Sequence, residues 1–143
     1  MYNGNRIEDF WFEFKDGKVI DFDARMGKDV LENLLHADEG ARYLGEIALV
    51  PYSSPIKSLD TLFYETLIDE NASCHFALGQ SYPECIKEGL NQTDEELKER
   101  GANQSLIHVD FMVGTKDLQI KAITRNNQEI DVFTHGNFSL EFD

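Results

Sequence analysis

The sequence predicts an α+β domain, mostly antiparallel sheet with two or three helices. Three observations carry this. Short runs of alternating aromatic and apolar residues are closed by turn dipeptides such as Asp16-Gly17. Val30, Leu31, Leu34 and Leu35 recur at the spacing of one helical face. Thr93-Asp94-Glu95-Glu96 is a capping box, with Glu96 three residues after the threonine cap.

Residues 6–23 read as a β-hairpin. Phe10, Phe12 and Phe14 alternate with Trp11 and Glu13, and Lys18 to Phe22 returns after Asp16-Gly17. A helix is expected over 27–37, with Gly40 supplying a left-handed residue after its end and another turn between Glu39 and Tyr43. Glu46 to Val50 is a short strand stopped by Pro51, and 52–60 is a loop. Leu62 to Ile68 suits strand or helix, and strand is preferred. Cys74 to Leu78 is a buried strand ended by Gly79, with His75, Ala77 and Gly79 on one face. The capped helix runs from Thr93 to about Arg100 and stops at Gly101. Leu106 to Val113 is the clearest strand, with His108, Asp110 and Met112 on one face. Leu118 to Thr124 and Glu129 to Thr134 form a terminal hairpin around 125–128. No linker, repeat or low-complexity stretch divides the chain.

At 143 residues the chain is one domain-sized unit able to bury a core. Its 27 acidic and 13 basic residues give a net charge of −14, which argues against nucleic acid or an anionic membrane as partner. The same charge suits divalent cations. Cys74 and Cys85 fit no metal or disulfide pattern and are expected as free thiols in a reducing compartment. No apolar run reaches the roughly 20 residues of a spanning helix, and the first residues have no signal-peptide pattern. A cytoplasmic location is the default. Strand character begins almost at once, at Phe10, which suggests part of a longer protein.

Carboxylates and imidazoles fall at the ends or along the faces of these strands. His108 and Asp110 are two apart and project from one strand face, although such a pair is most often a solvated hydrogen bond. Glu70 precedes the strand that holds His75, where a turn glutamate and a core histidine are the ordinary readings. Glu46 stands where Gly45 gives way to Ile-Ala-Leu-Val; a carboxylate entering a buried run needs a cation or hydrogen-bond donors. Tyr82, between Gly79 and Pro83, is by default a core or interface tyrosine. Cys74 and His75 are neighbours on a strand and face opposite sides, so a Cys-His dyad is not expected. His36 and His135 have no evident partners and read as surface residues. Nucleophile-elbow, phosphate-loop and His-Glu-x-x-His patterns are missing.

Three blocks together are far more specific than any donor pair. Leu44-Gly45-Glu46-Ile47-Ala48-Leu49-Val50-Pro51, the stretch from Leu62 to Gly79 (LFYETLIDENASCHFALG) and His108-Val109-Asp110-Phe111-Met112-Val113-Gly114 resemble the C-terminal part of the thermophilic-metalloprotease family of aminopeptidases. The resemblance covers nearly the whole chain. It implies a co-catalytic site of two divalent metal ions, zinc, cobalt or similar, acting on peptides with a free N-terminus. By motif it places Glu46, Glu70, His75, His108 and Asp110 at the metals. It places Tyr82 where a tyrosine can stabilise the oxyanion, and leaves Glu46 or Glu70 as general base. Family members are longer and take a further glutamate from upstream. Residues 1–143 are therefore expected to be the C-terminal metal-site domain without the N-terminal one, nearly inactive alone, with all five donors converging on one cleft. The alternative is a non-catalytic metal- or partner-binding domain. Apolar surface left on the hairpin Phe10–Phe22 or near the cleft makes a homo-oligomer the expected state.

Overall fold

In the computed structural model, which describes Tyr2 and residues 4–139, the elements that place the candidate donors are short strands tied together by tight turns. Three sheets are present among the described residues: β1-β2, β3-β4-β5 and β6-β7-β8. Strand β1 (Glu8–Lys15) pairs antiparallel with β2 (Lys18–Met26). The turn between them has positive φ at both Asp16 (52°) and Gly17 (78°), the primed geometry that matches strand twist. A register shift at Glu13/Phe14 breaks the ladder near that turn. Along β1 the rings of Phe10, Phe12 and Phe14 meet in series, edge-on and tilted, with centroids 5.5 and 5.9 Å apart.

Helix α1 (Lys28–Leu35) buries Leu31, Leu34 and Leu35, the face expected from spacing. It does not end on Gly40. His36 caps it at φ −107°, and Gly40 instead opens a 3-10 turn, Gly40–Arg42, outside the left-handed region. A side chain at Gly40 would collide with the backbone: an added Cβ would lie 1.8 Å from the Gln104 carbonyl oxygen. The extra turn expected between Glu39 and Tyr43 is this one.

Strand β3 (Leu44–Ala48) starts two residues before Glu46 and ends before Val50. The expected loop 52–60 contains a one-turn helix, α2 (Pro55–Ser58), capped by the Ser54 hydroxyl. The preference for strand over Leu62–Ile68 is wrong. Thr66–Asp69 is a helical turn, α3, and the preceding residues are irregular, with Tyr64 at φ 57°. The Asp69 carboxylate accepts the Phe63 and Glu65 N–H groups, at 2.9 and 3.2 Å, so the backbone there is satisfied without a sheet partner.

Strand β4 (His75–Gly79) is central in its sheet, between β3 and β5 (His108–Met112). That position explains an almost continuous apolar run: four of its five residues are buried. Helix α4 (Asp94–Glu99) carries both bonds of the capping box and buries Leu97; Gly101, at φ 91°, follows it. Strands β6 (Ile120–Ile123) and β7 (Glu129–Thr134) form the expected hairpin, and β7 also pairs with β8 (Asn137–Phe138). The four α-helices among the described residues exceed the expected two or three only by the single turns α2 and α3.

The chain divides into two compact units, and the dividing points fall within β3, β4 and β5. In the first (1–46 and 77–109), Val19, Leu31, Leu34, Leu35, Ala41, Ala77, Leu78 and Leu97 are buried. The Leu44 N–H donates to the Gly17 carbonyl at 2.9 Å, which docks the hairpin turn on the start of β3. In the second (47–76 and 110–143), Phe133 is buried against the Phe138 ring at 4.3 Å and Phe76 meets Phe111 edge-on at 6.0 Å. Among the described residues no helix is long and apolar enough to cross a membrane.

Candidate metal centre

Glu46 sits in the middle of β3, next to a glycine that cannot be replaced freely. An added Cβ at Gly45 would come within 2.3 Å of the Gly79 carbonyl oxygen and 2.5 Å of that of Gln80. The backbone of β3 therefore lies directly on the end of β4. The same Gln80 carbonyl accepts a hydrogen bond from Nδ1 of His108, at 2.7 Å. A carbonyl only accepts, so Nδ1 carries the hydrogen and Nε2 keeps its lone pair in the neutral ring. Nε2 faces Glu46 Oε2 at 3.3 Å. Two lone pairs at that distance repel unless a cation or a second ring proton lies between them. Two donors held about 2.0–2.1 Å from one tetrahedral ion stand roughly 3.3 Å apart. The pair is spaced as two ligands of one ion would be. The Tyr82 ring packs against the His108 ring at a 51° tilt, with centroids 4.7 Å apart, and is 40% exposed, so the phenol belongs to an accessible face rather than to the core.

The second unit holds another donor group. Glu70 opens a 3-10 turn, Glu70–Ala72, immediately after α3. The Ser54 hydroxyl pins that turn by donating to the Asn71 carbonyl at 2.6 Å. His75, 2% exposed, is the first residue of β4, and its Nδ1 donates to the Ser73 carbonyl at 3.0 Å. Its Nε2 is thereby left as the donor atom, as in His108. Asp110 lies on β5, two residues after His108 and on the same strand face. The Val113 and Gly114 N–H groups both donate to the Cys74 carbonyl at 2.9 Å, which fixes the end of β5 beside the start of β4. Glu70, His75 and Asp110 each offer a ligand atom, and these atoms lie within 4.8 Å of one another. Two carboxylates and an imidazole suit a divalent ion of borderline softness.

Cys74 takes no part in this chemistry. It is buried, its thiol donates to the Val50 carbonyl at 3.2 Å and accepts the Val50 N–H at 3.3 Å, and it is a free thiol like the exposed Cys85. His36 and His135 are exposed as expected, but His36 has partners: Arg42 Nη2 at 3.0 Å and the Glu32 carbonyl at 2.7 Å. The groups that orient the two candidate histidines, the carbonyls of Ser73 and Gln80, are backbone and carry no side-chain signal. Gly45, Gly79 and Gly114 are the traces of that close packing in the sequence.

Imidazole and carboxylate donors on the strands of a small antiparallel sheet, and in the turn before one of them, are of the types that hold a divalent metal. The family described as thermophilic metalloprotease (M29) matches residues 1–138, and the chain belongs to it. A metalloprotease family implies a divalent metal. The chain is 50% identical over 140 residues to aminopeptidase 2 of Geobacillus stearothermophilus, covering 98% of this chain and 34% of that protein. It is 38% identical over 138 residues to aminopeptidase T of Thermus aquaticus, covering 96% and 33%. The solved structure of wild-type AmpT from Thermus thermophilus superposes with a TM-score of 0.85 at 36% identity, over 96% of this chain and 33% of that one. The chain thus spans about a third of the length of the curated relatives it matches, and what it matches is their C-terminal part.

Proposed function

We propose that this chain is the C-terminal metal-site domain of an aminopeptidase, and that Glu46, Glu70, His75, His108 and Asp110 hold a pair of divalent ions, zinc, cobalt or similar. The observation that carries the reading is the matched treatment of the two histidines. Each spends Nδ1 on a backbone carbonyl; Nε2 of His108 faces Glu46, and His75 offers a ligand atom beside those of Glu70 and Asp110. Such second partners fix tautomer and orientation in histidine ligands of metals. The donor types fit the group. When bound, paired divalent ions polarise a carbonyl and lower the pKa of water.

The chain's own residues supply part of the remaining chemistry. Glu46 or Glu70 takes the proton of the attacking water. The Tyr82 hydroxyl, on an exposed ring against His108, donates to the oxygen that gains charge as the peptide bond is attacked. The substrates are peptides with a free N-terminus; the net charge of −14 favours their cationic end and disfavours nucleic acid. A cytoplasmic homo-oligomer is proposed as the working form.

The test is zinc and cobalt titration of the intact protein and of its His75→Ala and His108→Ala variants, with release of a chromogenic aminoacyl amide measured in parallel. Affinity should fall at least about 10–100-fold in each variant, since losing a ligand costs no less than losing its orienting partner. Wild-type affinity in both variants would refute the site. Metal binding with little hydrolysis is the outcome expected of a domain that spans about a third of its relatives' length, and robust hydrolysis would overturn that expectation.

A further inference from the structure

Within the first unit, the side chains of Asp38, Gln80, Asn103 and Ser105 form a hydrogen-bonded stitch that leads to the carbonyl partner of His108. The Asp38 carboxylate accepts the Leu106 N–H at 2.6 Å, the Ala41 N–H at 2.9 Å and the Ser105 hydroxyl at 3.0 Å from each oxygen. Ser105 Oγ in turn accepts the Ile107 N–H at 3.2 Å, and the Ser105 N–H donates to Gln80 Oε1 at 2.8 Å. The Gln80 N–H donates to the Ile107 carbonyl at 2.7 Å. Asn103 Nδ2 bridges the carbonyls of Gly40 and Gly79, at 2.8 and 2.6 Å. The circuit ends on the Gln80 carbonyl, which receives Nδ1 of His108.

We infer that Asp38 is a positioning residue for His108: it clamps the entrance of β5 to the exit of β4, and so aims Nε2 at its partner. The inference rests on the proposed role of His108 at the metal. Asp38 borders an open depression of about 420 Å³ with Glu39 and Asp94, which could suggest a cation site. Its oxygens are already occupied by donors from within the chain, so the carboxylate acts as a clamp. The Leu106 N–H first, then the Ser105 hydroxyl and the Ala41 and Gly40 N–H groups, hold its carboxyl below the usual range against the cost of burial. Converging donors need an acceptor at both oxygens. Asparagine has the same shape but turns an NH2 group toward one of them.

The experiment compares Asp38→Asn, Ser105→Ala, Asp94→Asn and His108→Ala with wild type in the intact protein. Two quantities are read well below the melting temperature: zinc affinity by chelator competition, and the His108 Nδ1–H resonance of the metal-free protein in a nitrogen-15 spectrum. Asp38→Asn should weaken zinc about tenfold, the low end for disturbing the support of a ligand, and should shift or broaden the Nδ1–H signal. Ser105→Ala should do the same to a smaller degree, and it carries the test if Asp38→Asn fails to fold. Asp94→Asn borders the same depression without clamping, and should keep both at wild type. If His108→Ala weakens zinc while Asp38→Asn and Ser105→Ala leave affinity and resonance unchanged, the clamp is refuted and the metal centre stands. If His108→Ala itself leaves zinc affinity unchanged, the metal reading is what fails.

Discussion

The two candidate histidines differ in burial but share one device, a backbone carbonyl on Nδ1, and that device depends on glycine. Gly79 has φ 99°, and a Cβ there would lie 2.1 Å from the Ile107 carbonyl oxygen. A left-handed side chain alone costs about 1–2 kcal/mol, and backbone on both sides leaves little room to relax. Gly79→Ala should therefore lose at least about 2 kcal/mol of stability in urea unfolding, and weaken zinc binding because Gln80 moves with it. Wild-type stability would show that the strand ends are looser than described. A second residue-scale outcome concerns acid. The Asp38 carboxyl is held below its ordinary value of 3.8, chiefly by the Leu106 N–H. A carboxyl lowered in the folded state adds stability that is complete above the unfolded value and is lost as pH falls through the folded one. The melting temperature of wild type should fall from pH 4 downward more steeply than that of Asp38→Asn; parallel curves would contradict the assignment. Glu46, Glu70, His75, His108 and Asp110 were legible as donor types at the ends or along the faces of the strands or in the turn before one. The carbonyls of Ser73 and Gln80 were not, because every residue has one and only the fold decides which is near.

At the scale of elements, legibility followed local determinants. Helix α1 was visible because its apolar face is both periodic and buried. Helix α4 was visible because its cap is written in four consecutive residues. Thr93→Ala removes the hydroxyl that accepts the Glu96 N–H and disrupts its partner bond, so it should cost about 1 kcal/mol in chemical unfolding, with Thr93→Ser largely restoring it. An unchanged midpoint would mean the cap is dispensable to this short helix. Segment 62–68 was misread because its apolar residues face outward. Leu62, Tyr64 and Leu67 are 69, 89 and 67% exposed, so hydrophobicity there reported neither period nor burial. The informative residue was Asp69, whose side chain takes the N–H groups a strand would have offered to a neighbour. The third strand of the last sheet, β8, was missed for a simpler reason: two residues carry no readable period.

On the scale of the whole molecule, two properties pull in opposite directions. Each compact unit is assembled from two separate segments, so no linker composition could mark the division in the sequence. Surface composition, by contrast, could be read in advance. A charge of −14 per chain disfavours bringing two copies together. Exposed Leu59, Leu62, Tyr64 and Leu67 lie close together in sequence within one unit, and their apolar side chains favour association. The balance should depend on salt. Repulsion between chains reaches about 30 Å at 0.01 M ionic strength but only about 8 Å at 0.15 M, whereas apolar burial does not weaken with added salt. The protein is therefore expected to shift from monomer toward dimer as ionic strength rises, read as molar mass by light scattering at fixed concentration. Leu62→Glu combined with Leu67→Glu adds two charges where apolar contact is needed, and should hold it monomeric at every salt concentration. A wild-type protein that stays monomeric throughout would remove the homo-oligomer from the proposal, and a dimer indifferent to both substitutions would place the interface elsewhere.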